Sequence, residues 1–114
     1  MIKYKKILII DNDKKDIGAM KEILEKEGHK VSTATNGSDG IDIIKKKDFE
    51  IIIIDIKMPT LPGYDLLKIL RDTLDNKIKI IYVSILPKLQ VNMTGASGFL
   101  QKPFNKESLI KAIN

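Results

Sequence analysis

The order of apolar and polar positions along the chain predicts strands alternating with helices. Five short apolar runs have the length of β-strands, and they cover residues 5–10, 30–34, 50–55, 77–84 and 98–101. Between the first two runs, apolar residues recur at the spacing of an amphipathic helix, as Ile17, Met20, Ile23 and Leu24. This helix is expected to stop at the "EGH" that follows.

Three further helices follow from the same periodicity. "NGSDGIDIIKKK" offers a cap residue and an inward face with Ile41 and Ile44, "PGYDLLKILRDTL" follows the third strand, and "NKESLIKAIN" ends the chain with Asn105 as its expected cap. The segment after the fourth strand, "ILPKLQVNMTGAS", has only a weak helical pattern and contains Pro87. Because proline and glycine disfavour helix interiors, we expect a short or distorted helix there.

Repeated βα units with strands that are apolar throughout predict a parallel sheet covered by helices on both faces. Right-handed connections then give a doubly wound α/β domain with strand order 2-1-3-4-5. A chain of 114 residues is large enough for one such core, so residues 1–114 are expected to form a single domain with nothing attached.

Composition and charge narrow the function classes. No long hydrophobic stretch is free of charges and the start lacks a signal peptide, which predicts a soluble, cytoplasmic protein without a membrane anchor. The absence of cysteine excludes disulfides and thiolate metal sites. The net charge of +5 could suggest nucleic acid, but the lysines are scattered and no aromatic residues interleave with them, so no direct DNA binding is expected.

Four polar residues lie at the predicted carboxyl ends of the strands, where doubly wound sheets bind ligands. They are Asp11, Asp55, Ser84 and Lys102. Each alone is compatible with a helix cap, a satisfied hydroxyl or a surface charge, but their joint placement favours a site. Crowded carboxylates need a cation, and oxygen ligands suit Mg²⁺. The set therefore predicts a phosphoryl site with Asp55 as the nucleophile.

"KILIIDND", "IIIIDIKMP", "YVS" and "GFLQKPF" together resemble the receiver domain of two-component response regulators, which has a flavodoxin-like fold. The resemblance implies that Asp55 accepts a phosphoryl group from the phosphohistidine of a histidine kinase or phosphotransfer protein. It further implies Mg²⁺ ligands at Asp11, Asp55 and the backbone carbonyl of Lys57, a phosphate partner in Lys102, a switch formed by Ser84 and Phe99, and a cis peptide bond before Pro103. Slow autodephosphorylation and output through a downstream protein target, as a monomer or weak dimer, are implied as well.

The chain departs from the family's pattern at several positions. Asn12 replaces the second of two acids; its amide oxygen can still bind Mg²⁺ but brings no charge, which predicts weaker Mg²⁺ binding. Asp13 either compensates or serves only as a turn residue. Pro62 stands where an acid is usual and is expected to have only a structural effect at the start of a helix. Ile85 replaces a small residue and is expected to narrow access to the phosphoryl group. The segment from Ser84 to Lys102 is about one helical turn short of the family's usual length.

Two other functions remain open at this point. A pseudo-receiver would keep the fold and bind proteins without phosphorylation. A phosphatase of the haloacid dehalogenase type would use Asp11 as nucleophile and Asp13 as acid and base, but Lys15 and the short chain oppose it. His29, the only histidine, follows Gly28 at a predicted helix end, which disfavours a role as phosphohistidine carrier.

Overall fold

A computed structural model describes residues 4–75 and 77–114 of the chain. Its strands are β1 (Lys6–Ile10), β2 (Lys30–Ala34), β3 (Ile51–Asp55), β4 (Lys79–Ser84) and β5 (Gly98–Gln101). Its helices are α1 (Lys14–Lys26), α2 (Gly37–Lys46), α3 (Gly63–Thr73) and α4 (Lys106–Ile113), with a 3₁₀ turn at Lys88–Gln90. None of the helices in these two ranges is long and apolar enough to cross a membrane.

The five strands form one parallel sheet in the order β2-β1-β3-β4-β5, which confirms the predicted topology. The chain order reverses between β1 and β3, the point at which doubly wound sheets bind their ligands. In the register of β3 and β4, Asp55 is opposite Val83, so Ser84 is the next residue along. Ser84 is opposite Gln101 of β5, and Lys102 follows at once. The sheet therefore brings its polar strand ends to one edge.

Four consecutive isoleucines, residues 51–54, form most of β3, and both faces of the strand are buried. Alternate side chains of a strand point to opposite faces. Ile51 and Ile53 pack into the core on one face, with helices α1 and α4, while Ile52 and Ile54 pack into the other, with α3. Burial of each isoleucine stabilises the fold by about 2 kcal/mol. Asp55 is the last residue of the strand and lies at the carboxyl edge of the sheet, next to both cores.

Helix ends largely follow the predicted caps. Asn36 and Asn105 cap α2 and α4 through their side chains, and Asn105 forms a reciprocal pair of hydrogen bonds with Ser108. Ile41 and Ile44 pack against the core, as the periodicity predicted. These caps satisfy N–H groups that the first turn of a helix leaves without partners.

The fourth strand begins at Lys79, two residues after its predicted start at Lys77. The prediction was wrong there because Asp75 forms a turn: its side chain accepts a hydrogen bond from the Lys77 N–H and its carbonyl one from the Ile78 N–H. β1 and β3 each begin one residue later than predicted, at Lys6 and Ile51.

The predicted weak helix after β4 is reduced to the 3₁₀ turn at Lys88–Gln90. Tertiary contacts hold the rest of this segment. The Arg71 guanidinium donates two hydrogen bonds to the Gly95 carbonyl, at 2.9 and 2.7 Å, and one to the Ile78 carbonyl. The Tyr64 hydroxyl accepts one from the Asn92 N–H at 3.0 Å. Helix α3 thereby anchors the segment that a further helix would otherwise fill.

Candidate functional site

Three of the predicted site residues meet at the carboxyl edge of the sheet. The Lys102 ammonium nitrogen lies 3.0 Å from Oδ2 of Asp11 and 3.5 Å from Oδ2 of Asp55. All three side chains are largely withdrawn from solvent, and Asp11 is fully buried. Burial strengthens such ionic contacts and also makes each charge costly without its partners. Lys102 therefore compensates the two carboxylates that end β1 and β3.

Backbone N–H groups fix both carboxylates. Oδ1 of Asp11 accepts a hydrogen bond from the Asp13 N–H at 2.9 Å, and Oδ1 of Asp55 accepts one from the Lys57 N–H at 3.2 Å. Oδ2 of Asp11 is buried and has no hydrogen-bond partner apart from its ionic contact with Lys102. Each acid is thus held by its own turn, with one oxygen directed at the shared cluster.

The electrostatics of the cluster differ between acid and base. The pKa of Asp55 is raised from its ordinary value of 3.8 to about 7, mainly by burial and also by the neighbouring Asp11, against smaller opposing effects of Lys102 and the Lys57 N–H. Burial alone would lower the pKa of Lys102, but hydrogen bonds to Asp16 and Asp11 and the charges of Asp11 and Asp55 raise it. Lys102 consequently stays charged. An added cation would stabilise the ionised form of Asp55 and lower its pKa.

Asp16 is a member of the cluster that the sequence reasoning missed. Its Oδ2 lies 2.7 Å from the Lys102 ammonium nitrogen, the shortest of the three carboxylate contacts. The signal was present in the helical spacing, because Asp16 precedes Met20 by four positions and Ile23 by seven. A charged residue on the buried stripe of α1 requires a partner, and Lys102 supplies it.

Ser84 lies beside this cluster without touching its charges. Its side chain is buried, and its Oγ accepts a hydrogen bond from the Leu86 N–H at 3.0 Å. Its carbonyl accepts one from the Lys102 N–H at 2.8 Å, which ties the ends of β4 and β5 together. The hydroxyl proton is free to be donated elsewhere, since a hydroxyl both donates and accepts.

Phe99 and Pro103 flank Lys102 on β5 and after it. Phe99 is opposite Tyr82 in the β4–β5 register, and its partly buried ring packs against the core on the α3 face. The peptide bond between Lys102 and Pro103 is cis, as the resemblance implied.

The oxygen atoms at this edge fit a hard cation such as Mg²⁺. Two carboxylates converge there, and the buried Oδ2 of Asp11 has no partner other than its ionic contact with Lys102. Asn12 and Lys57 line the same apolar groove beside the cluster, with Met58, Pro59 and Tyr64 among its other residues. Carboxylate, amide and carbonyl oxygens are the ligands that Mg²⁺ takes. Within residues 4–75 and 77–114, no group of three acidic or histidine side chains is placed to hold a metal ion. The predicted ligand set contains only two acidic side chains, those of Asp11 and Asp55.

The positions that depart from the family's pattern have distinct structural settings. The Asp13 carboxylate accepts hydrogen bonds from the Lys15 and Asp16 N–H groups and so caps helix α1. Pro62 directly precedes the first residue of α3. The Ile85 side chain is 61% exposed. Asp13 is therefore engaged as a cap residue, which is the structural alternative of the two that the sequence left open.

Comparisons with known proteins agree with this geometry. The family model described as the response regulator receiver domain matches residues 7–114. Protein PilH of Pseudomonas aeruginosa is 32% identical over 114 residues, covering 96% of this chain and 94% of PilH. Response regulator SaeR of Staphylococcus aureus is 31% identical, covering 95% of this chain but 48% of SaeR, so the chain spans about half of that relative.

Solved structures show the same fold. The chemotaxis response regulator CheY4 of Vibrio cholerae superposes with a TM-score of 0.89 at 28% identity, covering 97% of both chains. The response regulator TrrA of Thermotoga maritima, solved in complex with Mg²⁺-BeF, superposes with a TM-score of 0.86 at 25% identity, covering 96% of both chains.

Proposed function

Because the chain belongs to the response regulator receiver domain family, we propose that it signals by accepting a phosphoryl group on Asp55. The observation that supports this most is the meeting of Asp55 with Asp11 and Lys102 at the carboxyl end of β3. Asp55 is the only one of the three acids in contact with Lys102 that ends the central strand, beside the groove through which a donor can approach.

In the proposed reaction, an Asp55 carboxylate oxygen attacks the phosphorus of a phosphohistidine on a histidine kinase or phosphotransfer protein. An O–P bond forms and the N–P bond breaks, and the imidazole leaves with the electron pair and takes up a proton. Lys102, whose ammonium nitrogen lies 3.5 Å from Asp55 before the reaction, supplies positive charge to the transferred oxygens. Water later attacks the phosphorus of the acyl phosphate, which releases inorganic phosphate and restores the Asp55 carboxylate.

Asp11, Asp55, the Asn12 amide oxygen and the Lys57 carbonyl would hold Mg²⁺ in this site. When bound, the ion neutralises the charge that builds up as carboxylates and phosphoryl oxygens are brought together. Asp11 contributes a fully buried carboxylate whose orientation is already set by the Asp13 N–H. Asn12 contributes no charge, so the site is expected to bind the ion more weakly than one with an acid at this position.

Phosphorylation would then act through Ser84 and Phe99. A phosphoryl group adds about −1.5 to −2 charge and strong hydrogen-bond acceptors. The Ser84 hydroxyl can donate to it, which favours a conformation with the start of the following loop drawn toward Asp55. Phe99 occupies the adjacent strand and would turn inward as that space opens. The face around β4 and β5 is thereby altered for a downstream protein target, in a cytoplasmic pathway.

The first test is the intact mass of the protein after incubation with acetyl phosphate, with and without Mg²⁺. The expected result is a Mg²⁺-dependent gain of one phosphoryl group that disappears in Asp55→Asn. Asp72→Asn is the matched control, because it makes the same substitution at an exposed residue of α3 and should react like the unmodified chain.

The second candidate function is a pseudo-receiver that binds a protein partner without phosphorylation. Asn12 and the replacement of a helix by the 3₁₀ turn at Lys88–Gln90 favour it. It predicts no mass gain at saturating Mg²⁺ from a protein shown to be folded, a result that would contradict the phosphoacceptor proposal.

A further inference from the structure

The contacts of Lys102 are unevenly distributed among its three carboxylate partners. Its ammonium nitrogen lies 2.7 Å from Asp16, 3.0 Å from Asp11 and 3.5 Å from Asp55. Of the three carboxylates, Lys102 is therefore closest to Asp16 on helix α1 and farthest from Asp55, the residue that we propose as phosphoacceptor.

The three partners also differ in how readily they can release Lys102. The Asp11 side chain is 0% exposed and that of Asp55 7% exposed, whereas the Asp16 side chain is 28% exposed. A buried carboxylate that loses its cation pays a large desolvation cost, while a partly exposed one is compensated by water. Asp16 is thus the carboxylate that can give up Lys102 at the lowest cost.

We propose that Asp16 is a positioning residue that holds Lys102 on the α1 side until Asp55 is phosphorylated; this inference rests on the proposed function. On loading, Lys102 exchanges Asp16 for an oxygen of the phosphoryl group and keeps its contact with Asp11. No covalent bond changes in this exchange. Because Lys102 leaves a partner to reach the phosphoryl group, Asp16 lowers the affinity of the site for that group.

The alternative explanation is a nonspecific effect of one more negative charge near the site. Asp13 separates the two explanations, since it lies three residues before Asp16 but its carboxylate caps helix α1 instead of contacting Lys102. Asparagine is as good a cap as aspartate, so Asp13→Asn removes the charge and preserves the helix start. Asp16→Asn removes the same charge with the same change of shape.

The experiment measures binding of trifluoroberyllate, a phosphoryl mimic, by NMR titration of the full chain at saturating Mg²⁺. Asp16→Asn should bind the mimic about three- to fivefold more tightly than the unmodified chain, the size of one partly exposed ion pair. Asp13→Asn should stay within about twofold of the unmodified chain. In a Lys102→Met background, Asp16→Asn should have no effect, because its action passes through Lys102.

A spectroscopic signature tests the exchange itself. The carboxyl ¹³C resonance of Asp16 should shift on addition of trifluoroberyllate as it loses Lys102, while that of Asp13 should not. Asp16→Ser serves as a second neutral variant with the same expected tightening, so the result does not depend on the folding of one substitution.

The outcomes separate the two proposals. If the unmodified chain binds the mimic and Asp16→Asn binds it with the same affinity, Asp16 is not a positioning residue. The same conclusion follows if Asp16→Asn increases the affinity as much in the Lys102→Met background as in the unmodified chain. If Asp13→Asn tightens binding as much as Asp16→Asn, the effect is one of charge alone and the inference is again wrong. If the unmodified chain binds no mimic and gains no phosphoryl mass, the proposed function fails, and this inference fails with it.

Discussion

Gly63 lies so close to the backbone of Asp55 that a Cβ at position 63 would come within 2.6 Å of the Asp55 carbonyl oxygen. The Gly63 N–H also donates a hydrogen bond to the Ile56 carbonyl at 2.8 Å. The start of helix α3 is therefore pressed against the end of β3. This contact fixes the turn on which the Asp55 carboxylate is held.

Gly63→Ala should lower the free energy of unfolding by about 1–3 kcal/mol, because backbone atoms rather than a flexible side chain would have to move. Gly18→Ala is the matched control: position 18 lies in α1 with open space around it, and alanine there should raise stability by up to about 1 kcal/mol. Urea unfolding of the two variants measures both effects. Equal changes in the two variants would show that the contact with Asp55 carries no cost.

The pKa of Asp55 predicts how stability depends on pH without metal. Its pKa is raised to about 7 in the folded chain from an ordinary value of 3.8, so between these values the folded state holds a proton that the unfolded state releases. The free energy of unfolding should therefore fall as the pH rises through this window. Asp55→Asn has no carboxyl group to ionise at this position, so its free energy of unfolding should not fall in this way. Near pH 8 it should exceed that of the unmodified chain by on the order of a few kcal/mol.

The measurement is urea unfolding in EDTA at several pH values from about 4 to 8. The stability difference between Asp55→Asn and the unmodified chain should shrink toward the acidic end of that range. Asp72→Asn, at an exposed position, provides the control. A difference that stays constant with pH would contradict the assignment of this proton to Asp55.

Asn12→Asp should tighten Mg²⁺ binding by about tenfold, because a carboxylate ligand adds charge that the amide lacks. Isothermal titration calorimetry measures the affinity directly. Asn92→Asp is the control, because it makes the same substitution in the segment after the 3₁₀ turn, outside the proposed ligand set, and should leave the Mg²⁺ affinity unchanged. An aspartate oxygen there can still accept the hydrogen bond from the Thr94 N–H. An unchanged affinity in Asn12→Asp would remove Asn12 from the proposed ligand set.

Ile85→Ala should react severalfold faster with acetyl phosphate if the isoleucine narrows access to the site next to Ser84. The side chain is 61% exposed, so its truncation should cost little stability and leave the fold intact. Leu89→Ala is the control, because Leu89 is fully exposed in the 3₁₀ turn. Phosphorylation rates of the two variants are compared by intact mass over time. Equal rates for both variants and the unmodified chain would exclude crowding by Ile85.

The sheet and its edge could be predicted from sequence because local patterns determine them. The isoleucines of β3 identify a strand buried on both faces, and the polar residues at the carboxyl ends of the strands, such as Asp11 and Asp55, must then share one edge. Neither inference requires knowledge of distant contacts. The start of β4 was misplaced because Lys77 and Ile78, the first two residues of the predicted strand, donate backbone hydrogen bonds to Asp75 in a turn.

Two features depend on contacts that the local pattern does not contain. The segment after β4 is held by Arg71 and Tyr64 of α3, so its own weak helical pattern gave only the expectation of a distorted helix. The contact between Asp16 and Lys102 joins residues at opposite ends of the chain. Its sequence signal, an acid on the buried stripe of α1, indicates a need for a partner but not which one.

The most direct test of the central claim is the position of the phosphoryl group. The chain is incubated with acetyl phosphate and Mg²⁺, and the acyl phosphate is reduced with borohydride, which converts the modified aspartate to homoserine. Tandem mass spectrometry of the peptides then locates the change. Homoserine at position 55 is the predicted result. Homoserine at position 11, as a phosphatase with that nucleophile would give, or at neither position, would contradict the account.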